Sequence, residues 1–179
     1  MRKKKSMAEL HRLSPAEFSA TEKIPVALLL DDIRSANNVG SLFRTADCFA
    51  LQHVYLCGIT ATPPHRDILK TALGATETMP WSHHENALEM VRQLQGGGAR
   101  VQCLEQTERS VKLRDFVPAA DGSLLVLVVG NEVQGVDQAV IDAADGTIEI
   151  EQFGTKHSLN VAVAGGMMVY HVSHRLRAV

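Results

Sequence analysis

At 179 residues, 45% hydrophobic and 21% charged, the chain fits a single globular domain with a core of ordinary size. Only 4% of residues are aromatic, so the core must be aliphatic and broad stacking of rings on nucleobases is excluded as the main binding mode; Cys48, Cys57 and Cys103, widely spaced and without a Cys-x-x-Cys, exclude a disulfide framework and a zinc ribbon. The net charge of -2 conceals a basic head, +3 over residues 1–23 and -5 over the rest, and Arg2-Lys3-Lys4-Lys5 reads either as an RNA-phosphate arm or as a solvated tail. No apolar stretch has the length of a membrane span, and the polar run Ser6 to Glu22 after the basic start is no signal-peptide core, so the expected location is cytoplasmic, away from membranes.

In chain order, Met7 to Lys23 predicts a short helix with Leu10, Leu13 and Phe18 as apolar contacts, Pro15 breaking it or starting a second turn. Val26 to Leu30 is an unbroken aliphatic run ending in Asp31-Asp32, the pattern of a strand buried on both faces of a parallel sheet. Val39 to Ala50 sets Leu42, Phe43, Ala46, Phe49 and Ala50 on one stripe and predicts a helix on that sheet. A strand at His53 to Cys57, a helix at Arg66 to Leu73, a strand near Thr78 to Trp81 and a helix at Asn86 to Gln95, ended by Gly96-Gly97-Gly98, continue the alternation. Strands follow at Arg100 to Leu104, Leu124 to Val129 and Thr147 to Ile150, with helices at Gln138 to Ala143 and Leu159 to Leu176. Strand and helix alternating at this spacing mean an α/β fold, a parallel sheet flanked by helices.

Three polar segments interrupt these apolar elements. Asn37-Asn38-Val39-Gly40, with Arg44 and Thr45 beyond, lies at the carboxyl end of the first strand, where open parallel sheets bind ligands. Asn38 can serve as a helix cap, whereas Arg44, off the apolar stripe, is a surface arginine or a group that meets a phosphate or a polarised hydroxyl. Gly130-Asn131-Glu132-Val133-Gln134-Gly135 follows a second buried strand; Gly130 lets a ligand approach the backbone, and Glu132 caps the next turn or binds a substrate hydroxyl. No Lys-Ser/Thr completes a phosphate loop, and no Gly-x-Gly-x-x-Gly supports a nucleotide-binding dehydrogenase. In Gly154 to Val161, Ser158 suits an N-cap, while Gly165-Gly166 and an apolar final helix suggest close packing and a second subunit.

Taken in order, Asn38-x-Gly40-x-x-x-Arg44-x-Ala46, Gly130-Asn131-Glu132-x-x-Gly135 and Ile150-x-x-x-Gly154-x-x-x-Ser158-Leu159-Asn160-Val161 resemble the three motifs of the SpoU (TrmH) family of RNA ribose methyltransferases in the SPOUT superfamily. The resemblance runs from Val26 to Leu176 and implies a basic extension over residues 1–23 before a methyltransferase domain over 24–179. It implies S-adenosylmethionine as methyl donor, a ribose 2′-hydroxyl of RNA as acceptor, a homodimer, and a C-terminal trefoil knot over Leu124 to Leu176. By the same resemblance Leu104, Gly130, Ile150, Ser158 and Leu159 hold the donor, and Arg44, Asn38, Glu132, Ser158 and Asn160 form the catalytic set, with no metal.

Arg44 is expected to assist loss of the ribose proton electrostatically, since a guanidinium is almost never deprotonated and makes a poor base. The histidine pairs His83-His84 and His171-x-x-His174 lack an accompanying cysteine or carboxylate cluster and read as surface or interface residues. Two positions depart from the family's pattern: Glu151-Gln152 where Pro-Met is frequent, and Ala36 where a proline often precedes the first asparagine. Without the separate N-terminal RNA-binding domain of some relatives, the segment before Val26 and the dimer surface are left to hold RNA, with tRNA favoured over rRNA. The competing expectation is a non-catalytic RNA-binding module on the same fold.

Overall fold

The computed structural model describes residues 2–6, 8–10 and 12–178; Met7 and His11, inside the first expected helix, and Val179 lie outside the described residues. The expected first helix is a 3-10 turn at Ala8–Leu10 and a separate helix α1 at Pro15–Ala20. Pro15 starts α1 rather than breaking it, because its missing N–H falls where no helical bond is needed. Ser14 and Glu17 close a reciprocal capping box around it. Phe18 is buried, but Leu10, at the end of a three-residue turn, and Leu13, in the irregular segment before α1, are exposed.

The strands are β1 (Ile24–Asp31), β2 (Leu51–Cys57), β3 (Trp81–His84), β4 (Arg100–Leu104), β5 (Val111–Lys112), β6 (Leu125–Val129) and β7 (Gly146–Glu149). They form one sheet in the order β3-β2-β1-β6-β4-β7-β5, every pair parallel. The helices are α2 (Ala36–Cys48), α3 (Arg66–Ala72), α4 (Ala75–Thr78), α5 (Ala87–Gly96), α6 (Gln138–Ala143) and α7 (Val161–Arg177). The α/β class and most elements follow the sequence pattern to within a few residues. The strand expected near Thr78 to Trp81 is displaced to Trp81–His84, because Thr78 closes α4: its hydroxyl lies 2.6 Å from Asp47 Oδ2 and 3.3 Å from Ala75 O. β5 was not expected, since two residues carry no periodicity.

Alternation along the central strands divides the core. Val26, Leu28 and Leu30 of β1 join Leu42, Phe43, Ile68, Met168 and Val172 on the face covered by α2, α3 and α7. Leu29 faces the other way, with Cys57, Val91, Val101, Cys103 and Val140 under α5 and α6. Each of the Val, Leu, Ile, Phe and Met side chains among them stabilises the fold by roughly 1.5–3 kcal/mol relative to exposure. Chain order runs outward from β1 through β2 to β3, then resumes on the other side of β1, so the crossovers separate at the carboxyl ends of β1 and β6. The final helix α7 returns across α2, β1 and β6, and lies close to α2 because a Cβ at Gly165 would come within 2.8 Å of Leu42. Among the described residues no helix is long and apolar enough to cross a membrane.

Candidate active site

The carboxyl end of β1 turns sharply. Asp32 takes a left-handed φ of 52°, held by its side chain accepting the Ile59 N–H at 2.8 Å and by Asn131 Nδ2 donating to its carbonyl at 2.8 Å. Helix α2 then starts at Ala36, capped by Ser35, whose hydroxyl accepts from Asn38 N at 3.4 Å. The cap expected of Asn38 is thus supplied three residues earlier, and the Asn38 amide is free for other bonds.

Those bonds join all three polar segments. The Glu132 carboxylate accepts from Arg34 N at 2.9 Å, Ser35 N at 3.0 Å and Asn38 Nδ2 at 2.9 Å. Asn160 Nδ2 donates to Asn38 Oδ1 at 3.1 Å, while Asn160 Oδ1 caps α7 by accepting from Ala162 N and Val163 N. Asn160, not Ser158, is therefore the N-cap, which leaves the Ser158 hydroxyl without a partner among the described residues. Burial acts to raise the Glu132 pKa, but the hydrogen bonds from Asn38 and from the Arg34 and Ser35 N–H groups outweigh it and hold the carboxyl below the usual glutamate range.

Gly130 makes room for the chain's own loop. A Cβ there would fall 2.2 Å from Val136 N and 2.3 Å from Gly135 C, because the loop folds back on itself through an Asn131–Gly135 bridge. Asn131 pins that loop, its side-chain oxygen accepting from Val133 N and Gln134 N. Glu105, which the sequence pattern did not single out, accepts from Val136 N at 3.1 Å and stands where a Gly135 side chain would go. Its place directly after β4, at the carboxyl edge of the sheet, was the available signal.

Beside this junction lies a cavity of about 530 Å³ whose walls include Leu104, Gly130, Ile150, Ser158 and Leu159, the five residues expected around a donor. Glu132 and Asn160 also border it, and Gln152 enters from the segment that departs from the family pattern. Among the described residues, the backbone of residues 151–159 makes no bond to other backbone groups, and apart from the His157 carbonyl, which accepts from Gln106 Nε2 at 3.2 Å, its amides and carbonyls are available. Glu151 turns away to pair with Lys112 at 2.8 Å and Arg114 at 2.9 Å, and the Lys112 hydrogen bond leads in lowering its pKa. Arg44 is exposed and is not brought into this cavity; it lines a separate groove of about 470 Å³ between α2 and α3.

The histidines make protein contacts: His83 Nε2 lies 3.0 Å from Gly58 O, His84 Nε2 2.9 Å from Ser82 Oγ and His171 Nε2 2.8 Å from Phe116 O, while His174 stacks on Tyr170. Among the described residues no three His, Cys, Asp or Glu side chains gather as a metal site.

Comparison with known proteins bears on the same region. The chain is 31% identical over 161 residues to the Bacillus subtilis 23S rRNA (guanosine(2553)-2′-O)-methyltransferase RlmP, covering 88% of this chain and 61% of that protein. It therefore spans about three-fifths of the length of the curated relatives it matches. Its fold matches the crystal structure of the A. aeolicus TrmH/SpoU tRNA modifying enzyme with a TM-score of 0.79 at 21% identity, over 92% of this chain and 83% of that one. The AdoMet-bound rRNA methyltransferase from Sinorhizobium meliloti matches with a TM-score of 0.77 at 26% identity, over 92% of this chain and 61% of that one. The profile of the SpoU rRNA Methylase family matches residues 25–170, from the first strand of the sheet to the last helix, and the chain belongs to that family.

Proposed function

We propose that the chain transfers a methyl group from S-adenosylmethionine to a ribose 2′-hydroxyl of RNA. The observation that carries this reading is the relay Glu132–Asn38–Asn160 at the mouth of the 530 Å³ cavity. The residues present fit the donor. The cavity volume is within the range of small-molecule sites, Leu104, Ile150 and Leu159 supply apolar walls for a purine, and the backbone of Gln152, Ser158 and Leu159, without bonds to other backbone groups among the described residues, supplies polar groups for its edge. When bound, S-adenosylmethionine offers a methyl group already activated by a positive sulfur, so the reading calls for no metal.

The remaining work falls to side chains of this chain. A ribose hydroxyl is a weak nucleophile near neutral pH and must lose its proton as it attacks. Arg44, exposed on α2 six residues beyond Asn38, extends its long side chain back toward the cavity mouth once RNA is bound and stabilises the alkoxide as the proton passes to water or to an RNA phosphate oxygen, a role that suits a permanently charged guanidinium. Asn38, held by Glu132 and Asn160, orients the ribose, and the free Ser158 hydroxyl positions donor against acceptor. The two departures leave this set whole: Ala36 opens α2 without a proline, and Glu151 is engaged with Lys112 and Arg114 outside the cavity.

The reading extends to assembly. Phe153 (91% exposed), Val163, Met167 and Tyr170 gather about an apolar groove of about 840 Å³ along α7, a surface suited to a second copy. Residues 1–23, with Arg2 to Lys5 exposed, serve as a basic arm on RNA before the methyltransferase domain from residue 24. The return of α7 across the middle of the sheet supports a trefoil knot formed by the chain after Leu124. A monomer in sedimentation at micromolar concentration would count against the homodimer.

The test is transfer of labelled methyl groups to tRNA and to ribosomal RNA, followed by digestion to nucleosides. Label in 2′-O-methylated nucleosides is expected, and the labelled RNA decides between the two substrates. Label in a base, or binding of RNA and donor without transfer, would instead support the non-catalytic module or another chemistry.

A further inference from the structure

Motif glycine Gly40 has a packing role that leads to an unassigned side chain. A Cβ at Gly40 would lie 2.1 Å from Thr71 Oγ1 and 2.3 Å from Ile68 O, so only glycine lets α3 rest directly on α2. The contact is reinforced by Thr71 Oγ1, 3.0 Å from Asn37 O in the first turn of α2. This docking sets Lys70 and Arg44 on the walls of one groove of about 470 Å³, with Ser41, Thr45 and Thr71 between them and no carboxylate in the lining. Ser41 and Thr45 lie 2.8 and 3.0 Å from helix carbonyls, Asn37 O and Ser41 O, so the two cations are the groups left to attract an anion. Among the described residues neither Arg44 nor Lys70 has a hydrogen-bond or ion-pair partner, although Glu151, Asp121 and Glu132 elsewhere are engaged.

We infer that Lys70 is an RNA-binding residue that holds a backbone phosphodiester in the α2–α3 groove beside Arg44. The inference rests on the reading that the chain acts on RNA. Arg44 lies six residues from Asn38, so the groove sits about 9 Å along the α2 axis from the cavity mouth, the scale of one to two nucleotide steps. An RNA strand whose ribose is at Asn38 thereby brings a neighbouring phosphate over the groove, where a lysine acts as a point charge and tolerates any base sequence. Lys70 is thus a positioning residue for the strand rather than a participant in methyl transfer.

The experiment compares wild type with Lys70→Gln, Lys70→Arg and a control, Arg92→Gln, an exposed cation on α5. Binding of unmodified tRNA transcripts and of ribosomal RNA is measured across a salt series, with S-adenosylmethionine affinity as the check on folding. Lys70→Gln is expected to weaken RNA binding about threefold to tenfold at low salt and to lower the slope of log affinity against log salt by about 1. Donor affinity should be unchanged, and Lys70→Arg should restore the slope. An unchanged slope in Lys70→Gln, or an equal loss in Arg92→Gln, overturns the inference while leaving the proposed activity intact. A wild-type protein that binds donor but neither RNA overturns both.

Discussion

The cavity mouth and the α2–α3 groove lie along the same helix and dispose their polar groups in opposite ways. At the mouth, Glu132, Asn38 and Asn160 bond to one another and to the N–H groups of the β1–α2 turn, which fixes their directions before any ligand arrives. In the groove, Arg44 and Lys70 have no such partners among the described residues. A small donor and a reacting hydroxyl need dipoles set in place, because misplacement of about 1 Å can cost 100-fold in rate. A flexible polyanion needs accessible charge instead, since most of its binding free energy comes from released counterions.

Removing the charged wall should have the largest effect. Arg44→Ala is expected to lower methyl transfer by about 10³-fold with donor affinity nearly unchanged, measured by single-turnover transfer beside calorimetry; equal losses in both would erase the division between groove and cavity. Next comes the glycine that joins the regions. Gly40→Ala, with its Cβ against Ile68 O, should cost about 1–3 kcal/mol in denaturant unfolding and weaken RNA binding more than donor binding. Glu132→Ala reverses that pattern. It leaves three donors without their acceptor, costs about 1 kcal/mol after allowance for solvent access, and weakens donor binding while the salt dependence toward RNA stays.

The smallest effect is in pH and compares two carboxylates at the carboxyl ends of the strands. Glu132 is held below the usual range, so its contribution is complete above the ordinary glutamate pKa and is lost as pH falls through the folded value. Asp31 behaves oppositely. Burial first of all, with Asp32 and Asp137 nearby, raises its pKa despite the hydrogen bond from Asp137 N. Stability from that group is therefore present below the ordinary aspartate pKa and lost as pH rises through the folded value. At neutral pH Glu132→Gln should melt below wild type and Asp31→Asn above it, and both differences should shrink in acid, as scanning calorimetry at several pH values would read.

How much of this was legible depends on whether the determinant is local. β1 and β6 could be read from unbroken aliphatic runs, because strands buried on both faces admit little else. Of the five expected cavity residues, Gly130, Ile150, Ser158 and Leu159 lie within the second and third motifs, whereas Leu104, outside every motif, was placed only by the family resemblance. The caps could not be assigned from residue type: Ser35 rather than Asn38, and Asn160 rather than Ser158, close the helices, and neighbouring hydroxyl and amide residues compete on nearly equal terms for that position. Gly130 and Gly40 were visible as glycines, but what each makes room for, its own loop in one case and α3 in the other, depends on chain brought close by folding.

The sequence by itself determined the α/β class, the order of its elements, the three polar segments and the family they signal, since periodicity and motif spacing are properties of the chain alone. Only the tertiary structure decided that Glu132 reaches back 94 residues to Asn38, that Asn160 reaches 122 to the same side chain, and that Arg44 stands with Lys70 outside the cavity. The physical reason is that a parallel sheet gathers the carboxyl ends of strands remote in sequence, while the packing of α3 on α2 sets which surface side chains become neighbours.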